Sequence, residues 1–226
     1  MKAIKTFAIT LLASMSLSTP LMAGSADFAG IFGGISASVT GASIDGTHTS
    51  GTSSSDSSAN TTVNKGGVGA FMPVGGFEAG FNLPLGDIFF IGVGGKLVKG
   101  SATLAESDES TTVADISIEG RDAETVYIQP SISLFDNSAM YVKWGTTSIN
   151  VEAVGDVTKV SKFDLDGSMY AVGMLTQFNS GIYVRTEASA TQFDQISVTG
   201  VGTNSTAVIE GDPILAQGTL ALGYKF

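Results

Sequence analysis

Eight segments of period-two alternation, connections that alternate between short and long, and the lack of any apolar run long enough for a membrane helix together predict one fold class. That class is all-β: a closed, antiparallel, up-and-down transmembrane β-barrel of about eight strands. Successive side chains of a strand point to opposite faces, so a wall with lipid outside and a filled lumen inside is written as alternation. A helix crossing about 30 Å of hydrocarbon needs roughly 18 or more apolar residues, and no segment supplies them.

The chain opens with Lys2 and Lys5, an apolar run from Phe7 to Leu17, and Pro20-Leu21-Met22-Ala23. This is the layout of a secretory leader, so residues 1–23 are expected to be removed; a cut after Ala26 is the second choice. Residues 24–226 then form a single barrel domain. Loss of the leader leaves 9 Lys+Arg against 21 Asp+Glu, a formal charge of about −12. Nucleic acid is excluded as a partner on that balance, because neutralising phosphates needs clustered cations. No cysteine is present, which excludes disulfides, thiolate metal sites and a lipid-bearing cysteine.

Each strand can be written with its two faces. The first, about residues 28 to 42, sets Ile31, Ile35, Ala37 and Val39 against Phe32, Gly34, Ser36, Ser38 and Thr40. The second, about 67 to 83, sets Phe77, Ala79, Phe81 and Leu83 against Gly76, Glu78, Gly80 and Asn82. In the third, about 88 to 101, Phe89, Ile91, Val93 and Leu97 oppose Gly92, Gly94 and Lys96. In the fourth, about 123 to 135, Val126, Ile128, Ile132 and Leu134 oppose Thr125, Gln129, Ser131 and Ser133. The fifth and sixth are less regular. Val142 and Trp144 oppose Lys143 and Gly145 over about 139 to 150, and Tyr170, Val172, Met174 and Phe178 oppose Ala171, Gly173 and Gln177. The seventh, about 181 to 193, sets Ile182, Val184, Ala188 and Ala190 against Arg185, Glu187, Ser189 and Thr191. The eighth, about 213 to 226, sets Ile214, Leu220, Leu222, Tyr224 and Phe226 against Gln217, Thr219, Gly223 and Lys225.

Short turns are expected at Pro84-Leu85-Gly86-Asp87, Asp136-Asn137-Ser138 and Asn179-Ser180-Gly181. Long polar loops are expected over residues 43–66, 102–122, 151–167 and 194–211. That rhythm is an even-stranded meander with both termini on the short-turn side; a sandwich with Greek-key crossovers has no reason to keep it. Closure follows from the solvent, since an open sheet edge in lipid would leave backbone groups unpaired at several kcal/mol each.

The last strand ends on Phe226, with Tyr224, Leu222 and Leu220 at alternating positions before it. This terminus looks like the signal by which barrel-assembly machinery recognises outer-membrane barrels, through strand addition. The stretch from Phe28 to Gly34, this C-terminal strand, Gly75 to Phe81 and Tyr183 to Glu187 together resemble the small outer-membrane β-barrels. They form the porin-like superfamily that includes the OmpA membrane domain, OmpX and OmpW. The likeness covers essentially residues 24–226. It implies a Gram-negative outer membrane and cell surface, lipid and lipopolysaccharide around the barrel, and periplasmic chaperones and the assembly machinery during biogenesis. Unlike OmpA, the chain is expected to end at the barrel, with no peptidoglycan-binding domain.

Five charges fall on inward positions: Glu78, Lys96, Lys143, Arg185 and Glu187. In a small filled barrel they must be paired, which makes a lumen ion-pair network the simpler reading. A gate for small solutes, with the inward glycines leaving space, is the sharper one. His48, the only histidine, sits beside Asp45, Thr49 and Ser50 in an expected loop; this composition puts such neighbours together by chance, so no catalytic residue and no enzyme is expected. Glu106, Asp108 and Glu109, and Asp164 with Asp166, make acidic loops without the spacing of a calcium loop, so neither a metal site nor a cofactor is expected. The tract Ser53 to Thr62 reads as flexible. The functional expectation is a structural or passive small-solute role. The alternative is a surface adhesin whose long loops bind a host or matrix ligand.

Overall fold

The computed structural model describes residues 24–52, 62–66, 69–106, 116–135, 137–155, 162–201 and 205–226. The leader expected over residues 1–23, most of the Ser53–Thr62 tract, and Asp108 and Glu109 lie outside them. Among the described residues the strands are β1 (Gly30–Thr52), β2 (Thr62–Gly66), β3 (Gly69–Pro84), β4 (Phe89–Glu106) and β5 (Ile116–Phe135). They continue with β6 (Ser138–Gly155), β7 (Lys162–Gln177), β8 (Ile182–Phe193), β9 (Ile196–Val201) and β10 (Ser205–Lys225). One 3-10 turn, Ser25–Phe28, precedes them.

Eight strands make the wall in the order β1, β3, β4, β5, β6, β7, β8, β10. Each is antiparallel to the next, and β10 pairs back onto β1. That closing ladder runs without a break from Phe32↔Lys225 to Thr52↔Ser205. β2 and β9 are short additions, on the far ends of β1 and β10 respectively. The short turns lie at one end. Leu85 N–H donates to Phe89 O at 2.7 Å, and Phe178 N–H to Ile182 O at 2.7 Å. Gly86 and Gly181 sit in these turns at φ 89° and 83°, where a side chain would be strained.

The outward face is apolar and uncovered. Ile31, Ile35 and Val39 of β1, Phe77 and Phe81 of β3, Val126 of β5, Trp144 of β6 and Leu220 of β10 are all exposed, Val126 at 67%. Ile31 to Val39 spans nine residues of β1. At about 3.3 Å per residue and a tilt near 40° this rises about 23 Å, close to the roughly 25 Å apolar band of a membrane barrel. The band ends where Lys99 and Asp122 pair at 2.9 Å on the outside of β4 and β5. The hydrogen bond from the Lys99 ammonium holds the Asp122 carboxyl below the ordinary carboxylate range. The ladder shifts register here between Val98 and Ser101, and Asp122 adopts φ 44°.

The four stretches expected as loops are strand over much of their length. β1 runs on to Thr52, β4 to Glu106 and β6 to Gly155, while β5, β7 and β10 begin at Ile116, Lys162 and Ser205. His48 is therefore in β1, opposite Ile209 and Asn64, and Asp164 and Asp166 are in β7, opposite Asn150 and Ser148. The reason is physical: main-chain ladders need no apolar side chains, and beyond the membrane band both faces of an outer wall can meet water. Alternation then fades while pairing continues.

The lumen is packed by a repeated device. Inward aromatic rings lie directly across from inward glycines: Phe32 from Gly80, Tyr127 from Gly94, Tyr141 from Gly173 and Tyr183 from Gly223. A Cβ at Gly94 would fall 2.6 Å from the Tyr127 hydroxyl oxygen, and one at Gly173 or Gly223 would strike ring atoms of Tyr141 or Tyr183. These glycines do not leave space, as the sequence suggested; they are the floor on which rings lie.

Candidate functional site: a charged lumen

The alternation that builds the wall also aims the charges. Glu78 on β3 stands directly across from Lys96 on β4. Arg185 and Glu187 are two residues apart on β8 and share its inward face, and Glu187 faces Thr219 of β10. Lys143 comes from β6, on the other side of β7. All five side chains are buried, none more than 8% exposed.

The structure brings the five into one network. Lys143 is its hub, with Nζ at 3.0 Å from Glu78 Oε1 and 2.6 Å from Glu187 Oε2. Arg185 closes on Glu78 through Nη1, and Lys96 Nζ lies 3.8 Å from Glu187 Oε1. Each carboxylate thus faces two cations, and three cations face two carboxylates. Tyrosine hydroxyls complete the acceptors' shells: Tyr127 donates to Glu78, and Tyr141 to Glu187 Oε2 at 3.1 Å. Lys96 also donates to Gln217 Oε1 at 2.8 Å and to Thr219 Oγ1 at 3.1 Å. From there the chain of polar contacts passes to Thr40 and Ser38 of β1.

Aromatic faces solvate the cations that carboxylates do not fully satisfy. Lys143 Nζ sits 4.1 Å from the centre of the Tyr127 ring. The Arg185 guanidinium lies 5.1 to 5.5 Å from the rings of Phe32, Tyr141 and Tyr183. Such contacts contribute about 2 kcal/mol when desolvated. A cation taken from water costs several kcal/mol, so a buried set of this size persists only with nearly every donor and acceptor engaged.

Buried side chains flank the network at both ends, with the polar Asn82, Gln129, Ser131 and Ser133 among those on the turn side. Toward the turns lie Phe28, Phe32, Phe90, Ala139 and Leu175. Toward the long connections lie the inward, buried Ile149, Val151, Leu165, Met169 and Phe193. The network can hold charge and tie together the strands that carry it.

The sequence reading missed Tyr127, Tyr141, Tyr183, Gln217 and Thr219 as members of the network. Parity alone would have placed Tyr127 inward, between Thr125 and Gln129. Asp164 and Asp166 are exposed on β7 and take no part in this network, while the side chains of Glu106, Asp108 and Glu109 lie outside the described residues. Leu220, Leu222, Tyr224 and Phe226 lie on the outer face of β10 and just past its end, all exposed. The Phe226 amide bonds Ile31 O at 2.9 Å, and its ring packs edge-on against Tyr224 at 5.1 Å.

No family model and no curated protein matches this sequence. Solved structures do. The outer membrane protein OprG from Pseudomonas aeruginosa aligns over 88% of this chain and 96% of its own, at 14% identity and a TM-score of 0.51. Ail of Yersinia pestis, solved with the heparin analogue sucrose octasulfate, aligns over 87% and 99% at 9% identity, with a TM-score of 0.46. The outer membrane protease OmpT from Escherichia coli aligns over 95% and 100% at 13% identity and 0.44. At these identities the OprG likeness speaks for architecture alone, and together with the closed, eight-stranded, up-and-down wall it gives the chain the fold of the small outer-membrane β-barrels.

Proposed function

We propose that this protein is an integral outer-membrane barrel with a structural role, whose sealed lumen supports the wall and conducts no solute. The carrying observation is the network of Glu78, Lys96, Lys143, Arg185 and Glu187, buried between packed side chains on both sides. A water-filled pore would leave these groups accessible, whereas here side chains occupy the cross-section, as an eight-stranded interior allows. Lipid and lipopolysaccharide are the surroundings that fit the exposed apolar band. Refolded into planar bilayers at neutral pH, the protein is expected to be electrically silent. A steady open conductance would replace the structural role with a passive, porin-like one.

The height of the wall favours a second element of this reading, display of a surface toward a host or matrix ligand. β1 has 23 residues. At about 3.3 Å each and a tilt near 40° that is about 58 Å of height, more than twice the roughly 25 Å band. Binding of cells carrying the protein to immobilised matrix components, undiminished by removal of residues 53–61 and 107–115, would remove this element.

For assembly, we read Leu220, Leu222, Tyr224 and Phe226 as the strand that the assembly machinery holds by main-chain addition. Deleting Phe226 is expected to reduce the heat-modifiable barrel in outer-membrane fractions several-fold at unchanged synthesis. An unchanged yield would take that role from the terminus.

A further inference from the structure

The segment before β1 is not a trailing end. Ser25–Phe28 forms a 3-10 turn in which Ser25 and Phe28 are each 1% exposed, while Ala26 and Asp27 face out. Its contacts reach both sides of the mouth. On one side the Ser25 amide donates to Asp87 O at 2.6 Å, its hydroxyl donates to Gly86 O, and Asn82 Nδ2 donates to Phe28 O at 3.0 Å. On the other side Asp27 O accepts from Gln177 Nε2 at 3.1 Å and from Lys225 Nζ. In ring order β7 lies four places from β3, directly opposite it, so these bonds span the opening. Phe28 drops inward and stacks on Phe90 with ring centres 5.1 Å apart and planes 7° from parallel.

We propose that Ser25–Phe28 is a built-in stopper that seals the turn-side mouth of the lumen, the mouth that faces the periplasm if the barrel sits in an outer membrane. Every hydrogen bond just named has its partner on a turn, on Asn82 near the end of β3, or at the end of β7 or β10. The stopper therefore seats only when the wall has closed and those partners stand at their final spacing. Phe28 then covers the apolar layer that includes Ala139 and Leu175 and separates it from water. Access from the turn side is closed by this segment whether or not the charged layer above conducts.

The chain has no cysteine, so single introduced thiols report without background. In isolated outer membranes from cells making the full chain, Ser25→Cys is expected to react with a water-soluble maleimide at least tenfold more slowly than Ala26→Cys. Ala139→Cys, whose parent side chain is 0% exposed, is expected to stay unreactive, and to react at least tenfold faster when Phe28→Asp is added to expel the ring. Heat-modifiable migration checks that each variant is folded. If Phe28→Asp prevents folding, the Ser25 and Ala26 comparison decides alone, since neither change disturbs the ring. Equal rates at 25 and 26 overturn the stopper, as does an Ala139→Cys rate indifferent to Phe28 in folded barrels. A processed chain that begins at Asp27 overturns it too, because the Ser25 anchors would be gone.

Discussion

Glu78→Gln is expected to destabilise the folded barrel by about 3–5 kcal/mol, the usual consequence of removing one partner from a buried ionic set. Glu78 takes Lys143, Arg185 and the Tyr127 hydroxyl at once, so its loss takes the paired carboxylate from buried Arg185 and leaves Lys143 with Glu187 alone, in a lumen already one positive charge in excess. Asp194→Asn, an exposed acid after β8, is the control and is expected to change stability by no more than about 0.5 kcal/mol. Urea midpoints of the two variants in the same detergent or vesicles give the comparison, and coincident midpoints would dismiss the network as a stabilising element. A double variant, Glu78→Gln with Arg185→Gln, should lose less than the two single losses combined, because groups in one network are not additive.

The second large effect is steric. Gly173→Val is expected to cost upward of about 3 kcal/mol or to abolish the heat-modifiable form, since overpacking of a dense interior costs about 1–3 kcal/mol even where a side chain can give way. A Cβ at Gly173 would collide with the Tyr141 ring and also with the Thr186 carbonyl, which is backbone and does not yield. Gly218→Val makes the same chemical change on β10, where a new Cβ meets nothing within 4 Å, and is expected to be neutral or slightly stabilising. Measuring the folded fraction of both by gel migration before and after boiling separates packing from propensity. Equal behaviour would mean that the ring and glycine pairs do not hold the lumen together.

Which face each strand turns outward was legible residue by residue. Phe77 and Phe81 point out while Glu78 points in, because the pleat sends neighbouring side chains to opposite sides. Gly86 and Gly181 marked their turns in the sequence and occupy left-handed backbone in the structure. The extent of the strands was not legible. Asp164, Leu165 and Asp166 read as loop and form part of β7, with Leu165 buried and its neighbours exposed, since an aqueous outer face erases the contrast between lipid and lumen that alternation needs.

Alternation along the chain was thus enough to specify a closed wall of about eight strands, its lipid face and the inward direction of five charges. These are consequences of local parity and of the requirement that backbone polar groups be satisfied in lipid. Pairing in three dimensions was needed to set Lys143 of β6 between Glu78 of β3 and Glu187 of β8, Tyr141 over Gly173, and Phe28 against Phe90 at the turn-side mouth. Those facts depend on which residues face each other across a closed cylinder. That is set by register and closure between strands far apart in the chain, which a period of two along one strand does not encode.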